Sequence, residues 1–417
     1  MPNLLVRNPG NKQIYYLLVL AVSLFLGLFW VLLVNTQPVS DFKYYHELAE
    51  SIADGGQWGD TYTTVGYPVF LAFFYKVFGP SLWVAKGLNL FLSVLNNLLV
   101  LAILRRSPLS ERGRKVSFAL FALFPATVFY NSVVATEILF STLLFTLTWL
   151  YFSGVKHKYV FMGILVGLNT LIKPFFIAYF LVIFFAELLS KRKLQVSLGN
   201  AALILSVSML VLVPWLYRNY LLMGEFTWVS NNGGIVLYIN NNSQNQTGMW
   251  MPAEEVENSL VKTPEYLAAN ATEKNKMLSK AAKTWIFNHP EEFVMLGLKR
   301  LKNTFGGSVQ DLGFAFYGSG WNLQSQESIR LLARIVTTPV YWFGGLSALA
   351  FTLRYLLRLK REKINSLDGY LLILLYMFVG IYFLTEGQSR YAFPTLLIFV
   401  YFFCSMLRFF SFKQERK

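Results

Sequence analysis

Residues 14–34 read IYYLLVLAVSLFLGLFWVLLV, a run without an acidic or basic side chain, and pass directly into NTQPVSD at residues 35–41. A bilayer core takes about 20 mostly apolar residues per helix. The run therefore predicts a spanning helix. No small-residue cleavage site follows it, only Asn35-Thr36-Gln37-Pro38, so it is expected to be retained as the first span rather than removed as a signal peptide. Asp41 is then the first acid beyond its far end.

Similar runs recur outward from this one as far as Leu407. Over 417 residues, 55% are hydrophobic, 17% aromatic and only 14% charged, a balance that excludes a soluble domain of this size. The net charge of +15 would suit nucleic acid if it formed one patch, but it is divided into short clusters between the apolar runs. These are Arg7 and Lys12; Arg105, Arg106, Arg112, Arg114 and Lys115; Lys156 and Lys158; Lys191 to Lys193; Arg354 to Lys363; and Arg408 to Lys417. That pattern sets topology, with the clusters cytoplasmic, and no nucleic-acid partner is expected. The single Cys404 allows neither an intrachain disulfide nor a cysteine metal site.

With both termini cytoplasmic, the clusters predict about ten spans, near residues 14–34, 82–104, 116–132, 134–153, 159–173, 174–189, 195–217, 331–353, 367–385 and 391–408. The fold class is thus an all-α polytopic membrane protein. It divides into an N-terminal membrane module, 1–217, with a first outer loop at 35–81; an outer region, 218–330; and C-terminal membrane helices, 331–417. Val65 to Gly79 is apolar, but counting it as a span would put Arg105 to Lys115 outside, so it is read as a re-entrant or interfacial helix. In the first outer loop, Tyr45, Leu48 and Ile52 share one face of an amphipathic helix over Asp41 to Asp54. In the outer region, Phe226 to Tyr238 reads as a β-hairpin turning at Asn231-Asn232-Gly233-Gly234. Pro264 to Asn288 and Pro290 to Thr304 read as amphipathic helices with proline near their starts, so a small α+β outer region is expected.

Ionisable groups near a bilayer are costly and point to function unless they snorkel to the headgroups. Here they collect at the outer ends of the spans: Asp41, Lys86, Glu137, Lys173, Arg218, Arg334, Glu386 and Arg390. After Lys86 the spacing of Asn89, Ser93 and Asn96 continues one polar helix stripe. A wet, charged outer cavity is expected, with carboxylates for base chemistry or a divalent ion and cations for an anionic group such as a lipid phosphate. Each residue also has a plainer reading. Asp41 could cap the next helix, Glu137 could only pair with Lys86 or Lys173, Lys173 could snorkel, and Arg218 and Arg390 could be interfacial anchors beside Tyr217 and Tyr391. His46, His157 and His289 are too dispersed for a metal centre. Asn240 to Asn242 could bind sugar or simply make turns, and the glycosylation sequons at Asn241, Asn245 and Asn270 are what any asparagine-rich loop produces.

Four stretches resemble the GT-C superfamily of membrane glycosyltransferases, especially the bacterial branch similar to protein O-mannosyltransferases and the lipid A aminoarabinose transferase. They are Ser40-Asp41-Phe42-Lys43-Tyr44-Tyr45 with Gly55-Gly56 and Gly66-Tyr67-Pro68; Ala135-Thr136-Glu137; Pro214-Trp215-Leu216-Tyr217-Arg218-Asn219-Tyr220 with Gly224, Gly233-Gly234 and Asn240 to Asn242; and Glu386-Gly387-Gln388-Ser389-Arg390-Tyr391 with Pro394. They follow the family's order over most of the chain. The resemblance implies Asp41 as the catalytic carboxylate and Glu137 as a second outer-end acid; Glu137 is expected to orient the acceptor or to share a divalent ion with Asp41. Lys86, Lys173, Arg218, Arg390, Tyr45, Tyr67 and Glu386 are the candidate substrate-binding residues, with Lys173 and Arg390 as the expected phosphate ligands. The aminoarabinose transferases place Lys-Pro-Pro where this chain has Val65-Gly66-Tyr67-Pro68, so a lysine role there has no counterpart. The chain stops after the tenth expected span, which leaves acceptor recognition to 218–330.

Nucleotide sugars are cytoplasmic, so an outer-face transferase of this kind would use a polyprenyl-phosphate sugar. Its acceptor would be an envelope glycan, lipid or protein, and its place the bacterial plasma (inner) membrane. Two rivals stand beside it. An envelope polysaccharide ligase or polymerase would consume diphosphate-linked donors, and a lipid-linked sugar flippase would carry midplane charges and repeat symmetry between halves.

Overall fold

The structure is a computed structural model that describes residues 11–358 and 364–411. Arg7, the 359–363 part of the fifth basic cluster and the 412–417 part of the last lie outside the described residues. Among the described residues the secondary structure is helical, with no strand.

Helix α1 (Asn11–Leu33) is the first apolar run. The chain then turns through Ser40, which sits at φ 50° without a side-chain cap, into α2 (Asp41–Ala53). Asp41 is the first residue of that helix and not its cap. Helix α3 (Gly66–Phe78) has 13 residues, about 20 Å at 1.5 Å per residue, too short for the hydrocarbon core. It lies against α2, with the Tyr45 and Tyr67 rings in edge contact at 5.8 Å. Next come α4 (Leu82–Leu104), capped by Ser81, and α5 (Glu111–Ala122), capped by Ser110. The expected span 116–132 does not form as one helix. Phe124 precedes Pro125 and is held extended, as a residue before proline must be, so the chain breaks and restarts as α6 (Pro125–Phe129) with a 3-10 turn at Tyr130–Ser132.

Helices α7 (Glu137–Tyr151) and α8 (Lys158–Ile172) follow. Pro174 ends α8 by the same rule, holding Lys173 extended at φ −134°, ψ 105°. A 3-10 turn at Pro174–Ala178 leads into α9 (Tyr179–Leu189). Helix α10 (Leu194–Met223) is the longest of the N-terminal half and ends at Gly224, which takes the left-handed conformation that glycine adopts without strain. It packs closely on α8, because a Cβ on Gly163 or Gly167 would approach Val207 or Val211 Cβ to 2.6 or 2.7 Å. Small residues four apart let membrane helices come this near, and here they are used inside the chain.

The outer region contains α11 (Gly233–Asn240), α12 (Pro264–Ala268), α13 (Ala271–Asn288) and α14 (Pro290–Phe305). The expected hairpin over Phe226 to Tyr238 is not formed; its second half is α11, so the outer region is helical and not α+β. The expected helix from Pro264 to Asn288 is two helices, because Asn270 and Glu273 make a capping box that starts α13 afresh. The chain closes with α15 (Leu323–Arg358), α16 (Ser366–Leu384), a 3-10 segment at Ser389–Thr395 and α17 (Leu396–Ser411).

Among the described residues, six segments are long and apolar enough to cross a membrane: Gln13–Leu33, Leu82–Leu104, Leu194–Met223, Leu323–Leu357, Ser366–Leu384 and Ser389–Met406. Shorter apolar helices, including α7, α8 and Pro174–Leu189, fill the bundle between them. The protein is a multi-pass membrane protein.

The polar stripe on α4 serves the bundle rather than a cavity. Lys86 Nζ donates to the Thr36 carbonyl at 3.0 Å, Asn89 Nδ2 to Val133 O at 2.8 Å, and Ser93 Oγ to Asn131 Oδ1 at 2.7 Å. The Lys86 and Asn89 bonds satisfy carbonyls outside the helices, and Ser93 a buried amide side chain, as buried polar groups require.

Candidate active site

The breaks in the helices bring the charges together. Asp41 opens α2, Glu137 opens α7, Lys173 sits in the proline break after α8, and Glu386 and Arg390 lie between α16 and α17. All five line one cavity of about 430 Å³, together with Tyr45. Arg390 Nη2 stands 3.7 Å from Asp41 Oδ2, and Lys173 Nζ 4.0 Å from Glu137 Oε1. The Glu137 side chain is 2% exposed, that of Asp41 52%. One acid is sealed in the wall and the other faces open space. Burial pushes the Tyr45 phenol up from its ordinary value, so it meets the cavity as a neutral hydroxyl.

Arg390 is held on every side. Its Nε donates to Gln388 Oε1 at 2.7 Å, and its backbone N–H to Asp311 Oδ2 at 2.8 Å. The guanidinium lies over the rings of Phe42, Phe314 and Tyr391 at 5.3, 5.6 and 5.4 Å. Lys173 Nζ is likewise 5.3 Å from the Tyr391 ring centre. Such faces stabilise a cation without neutralising it. Glu386 accepts from Tyr391 OH at 2.9 Å and Gln388 Nε2 at 2.7 Å. Burial raises its pKa above the usual carboxylate value, the two hydrogen bonds pulling the other way. It is a structural acid at the rim.

Three expected site residues stand elsewhere. Lys86 is bound to Thr36, as described. Arg218 latches the first outer loop onto the end of α10, donating to the carbonyls of Asp60 (3.1 Å), Gly59 and Trp58 while lying 4.5 Å over the Trp215 ring. Tyr67 is buried beneath Tyr45. Gly66 explains its motif differently: a Cβ there would come within 2.7 Å of the Leu171 carbonyl carbon, so glycine lets α3 press against the end of α8 beside Lys173.

Asp311 and Arg300 were not singled out in the sequence. Asp311 Oδ2 accepts from Ser389 Oγ at 2.8 Å as well as from Arg390, across a separation no helical period reveals. Arg300, fully buried on α14, donates to Phe383 O at 2.6 Å, to Asn241 Oδ1 at 2.8 Å and to Asn240 O. Burial lowers its pKa to about 10. It pins the outer region to the end of α16, one turn from Glu386.

A second cavity of about 1150 Å³ lies on the other side of Ile172, which walls both. It is lined by side chains such as Val69, Leu139, Leu143, Leu168, Leu171 and Val211, with Asp60 and Arg218 at one end.

Among the described residues no three His, Cys, Asp or Glu side chains gather into a metal-binding group. Asp41 and Glu137 are each opposed by a cation instead of converging on a common point. This donor set does not fit a divalent ion.

The fold is similar to that of a solved oligosaccharyltransferase. An oligosaccharyltransferase from Archaeoglobus fulgidus, solved with a tethered acceptor peptide, superposes on 97% of this chain with a TM-score of 0.52 at 14% identity. The chain spans about half of that protein, 51% of its length. ArnT from Cupriavidus metallidurans, solved with undecaprenyl phosphate, matches 94% of this chain and 76% of its own with a TM-score of 0.45 at 12% identity. The likeness to the oligosaccharyltransferase is one of fold alone. No protein-family model and no curated protein matches the sequence.

Proposed function

We propose that this protein is a glycosyltransferase that moves a sugar from a polyprenyl-phosphate donor to an acceptor hydroxyl at the extracytoplasmic face of the membrane. One observation carries the reading: the cavity that holds Asp41, Glu137, Lys173 and Arg390 shares a wall with a large apolar cavity. A ligand with a phosphate head and a long hydrocarbon tail fits that pairing. A soluble nucleotide sugar would leave the apolar space unused.

In the reaction, Asp41 takes the proton of the acceptor hydroxyl. The oxygen attacks the anomeric carbon as the bond from that carbon to the phosphate oxygen breaks, and the electron pair leaves with the phosphate. The configuration inverts once. The polyprenyl phosphate gains one negative charge in this step, and Lys173 and Arg390 stabilise it without a proton donor. Glu137, sealed beside Lys173, holds that ammonium in place and orients the acceptor.

Asp41→Asn keeps shape and removes the base. In reconstituted membranes it is expected to lower transfer by about a hundred- to ten-thousandfold with thermal unfolding unchanged; full activity in that variant would sink the assignment. Comparing monophosphate with diphosphate donors separates this reaction from that of a polysaccharide ligase, and translocation that survives loss of Asp41 would mark a flippase.

A further inference from the structure

The charged cavity has a second half that the reaction above does not use. Its lower wall holds all five ionised-type side chains, Asp41, Glu137, Lys173, Glu386 and Arg390. Its upper wall comes from the outer region and carries none: Trp228, Ser230, Asn232, Gly233–Gly234, Asn275 and Ser279. Two pieces of chain build it. Residues 228–231 are fixed by α10 and the first outer loop, since Asn219 Nδ2 donates to Trp228 O at 2.8 Å, Trp215 Nε1 to Val229 O at 2.9 Å, and Asn231 N–H to Thr61 O at 2.7 Å. The facing piece is α13, locked to α11 because Asn275 Oδ1 accepts the Gly234 N–H at 2.6 Å and a Cβ on Gly234 would reach 2.2 Å from Asn275 O.

Several polar atoms of this wall are unspent. Asn232 Oδ1 accepts from Ser230 Oγ at 2.9 Å, which leaves its amide nitrogen uncommitted. Among the described residues, Asn232 Nδ2, Asn275 Nδ2, Ser279 Oγ and Trp228 Nε1 make no hydrogen bond within the chain.

The asparagine-rich loop behaves in the opposite way. Asn240 Nδ2 donates to Val236 O, Asn241 Nδ2 to Leu237 O and Leu384 O, Asn242 Nδ2 to Tyr238 O and Ile239 O, and Asn245 Nδ2 to Ile239 O and Met249 O. Those amides make turns, while the ones facing the cavity wait for a partner. An indole with two amide donors and a hydroxyl, all neutral, matches a ring of C–H faces and hydroxyl groups. It offers no counter-charge to an amino or carboxyl substituent.

We infer that this wall is the seat of an uncharged sugar ring, with Trp228 as its platform and Asn232, Asn275 and Ser279 as its hydroxyl-reading residues. The inference rests on the proposed function for the phosphate beside it. The ring belongs to the donor or to a glycan acceptor, two sources of one chemistry.

Calorimetric titration of the full chain in detergent, with a short-chain polyprenyl monophosphate bearing a neutral hexose and with the same lipid lacking sugar, tests it. Asn232→Ala and Ser279→Ala should each weaken binding of the sugar-bearing lipid about five- to tenfold, as loss of one neutral hydrogen bond does, and leave the sugarless lipid unchanged. Where the ring is the acceptor's, both lipids bind the variants as before and the KM for a neutral glycan acceptor rises by the same factor instead. Unchanged donor binding together with an unchanged acceptor KM overturns the seat while leaving the phosphate reading intact. A wild type that binds neither lipid overturns both. Equal affinity for donors carrying a neutral sugar and an amino sugar overturns the claim of charge selection.

Discussion

At the scale of single residues, what matters is which partners each charge has kept free. Arg390 has one nitrogen on Gln388 and another toward Asp41, and its plane lies against three rings. A lysine carries the same charge but neither the fork nor the flat face. Arg390→Lys is therefore expected to reduce kcat by about a hundredfold while KM for the lipid donor moves far less, measured in steady-state assays. Glu386 gives a prediction of opposite character. Its burial raises the folded-state pKa above the unfolded one, so its contribution favours the fold at low pH and is lost as pH climbs through the raised value. Glu386→Gln removes that loss. Thermal unfolding of the variant should vary less with pH than that of the wild type and match or exceed it at neutral pH; a steeper dependence in the variant would contradict the assignment.

At the scale of elements, proline placed the site. Pro125 breaks the expected third span and Pro174 stops α8 with Lys173 extended into the cavity. The boundary at Pro174 was read in the sequence, as were the apolar helices and the acids at the starts of α2 and α7, because spacing and chain-breaking residues are local; the break at Pro125 was passed over inside the expected span 116–132. The hairpin was misread because Asn231 to Gly234 has turn propensity, whereas the observed helix depends on Gly234 pressing against Asn275, a contact between distant segments. Asp311, Arg300 and the uncharged wall left no periodic signal for the same reason: each acts on a segment far along the chain. The junction of α14 with α16 is where that long-range order is concentrated. A Cβ on Gly387 would come within 2.6 Å of Arg300 Cα and O, so Gly387→Ala must displace backbone and is expected to cost about 1–3 kcal/mol. Arg300→Met strands the carbonyls of Phe383 and Asn240 and should cost about 3 kcal/mol or more. Denaturation midpoints in detergent check both.

At the scale of the whole molecule, two cavities with unlike linings meet at Ile172. The apolar one provides the surface against which a long hydrocarbon chain would gain roughly 0.8 kcal/mol per buried methylene. Val69→Trp fills part of it. This change is expected to raise KM for a long-chain donor by about tenfold and to leave a short-chain donor nearly unaffected; an equal effect on both would separate the apolar cavity from donor binding.

The pairing of Asp41 with Arg390 and Glu137 with Lys173 makes the resting floor behave like a loaded ion exchanger. Two cations already hold two built-in counterions, so an arriving phosphate displaces a carboxylate's share of each cation and gains only the difference. Small free anions have nothing else to offer in that exchange and should compete poorly, even at concentrations far above the donor's. A lipid-borne phosphate enters the same exchange with the adhesion of its tail already in hand, and the pocket thereby discriminates by what is attached to the anion.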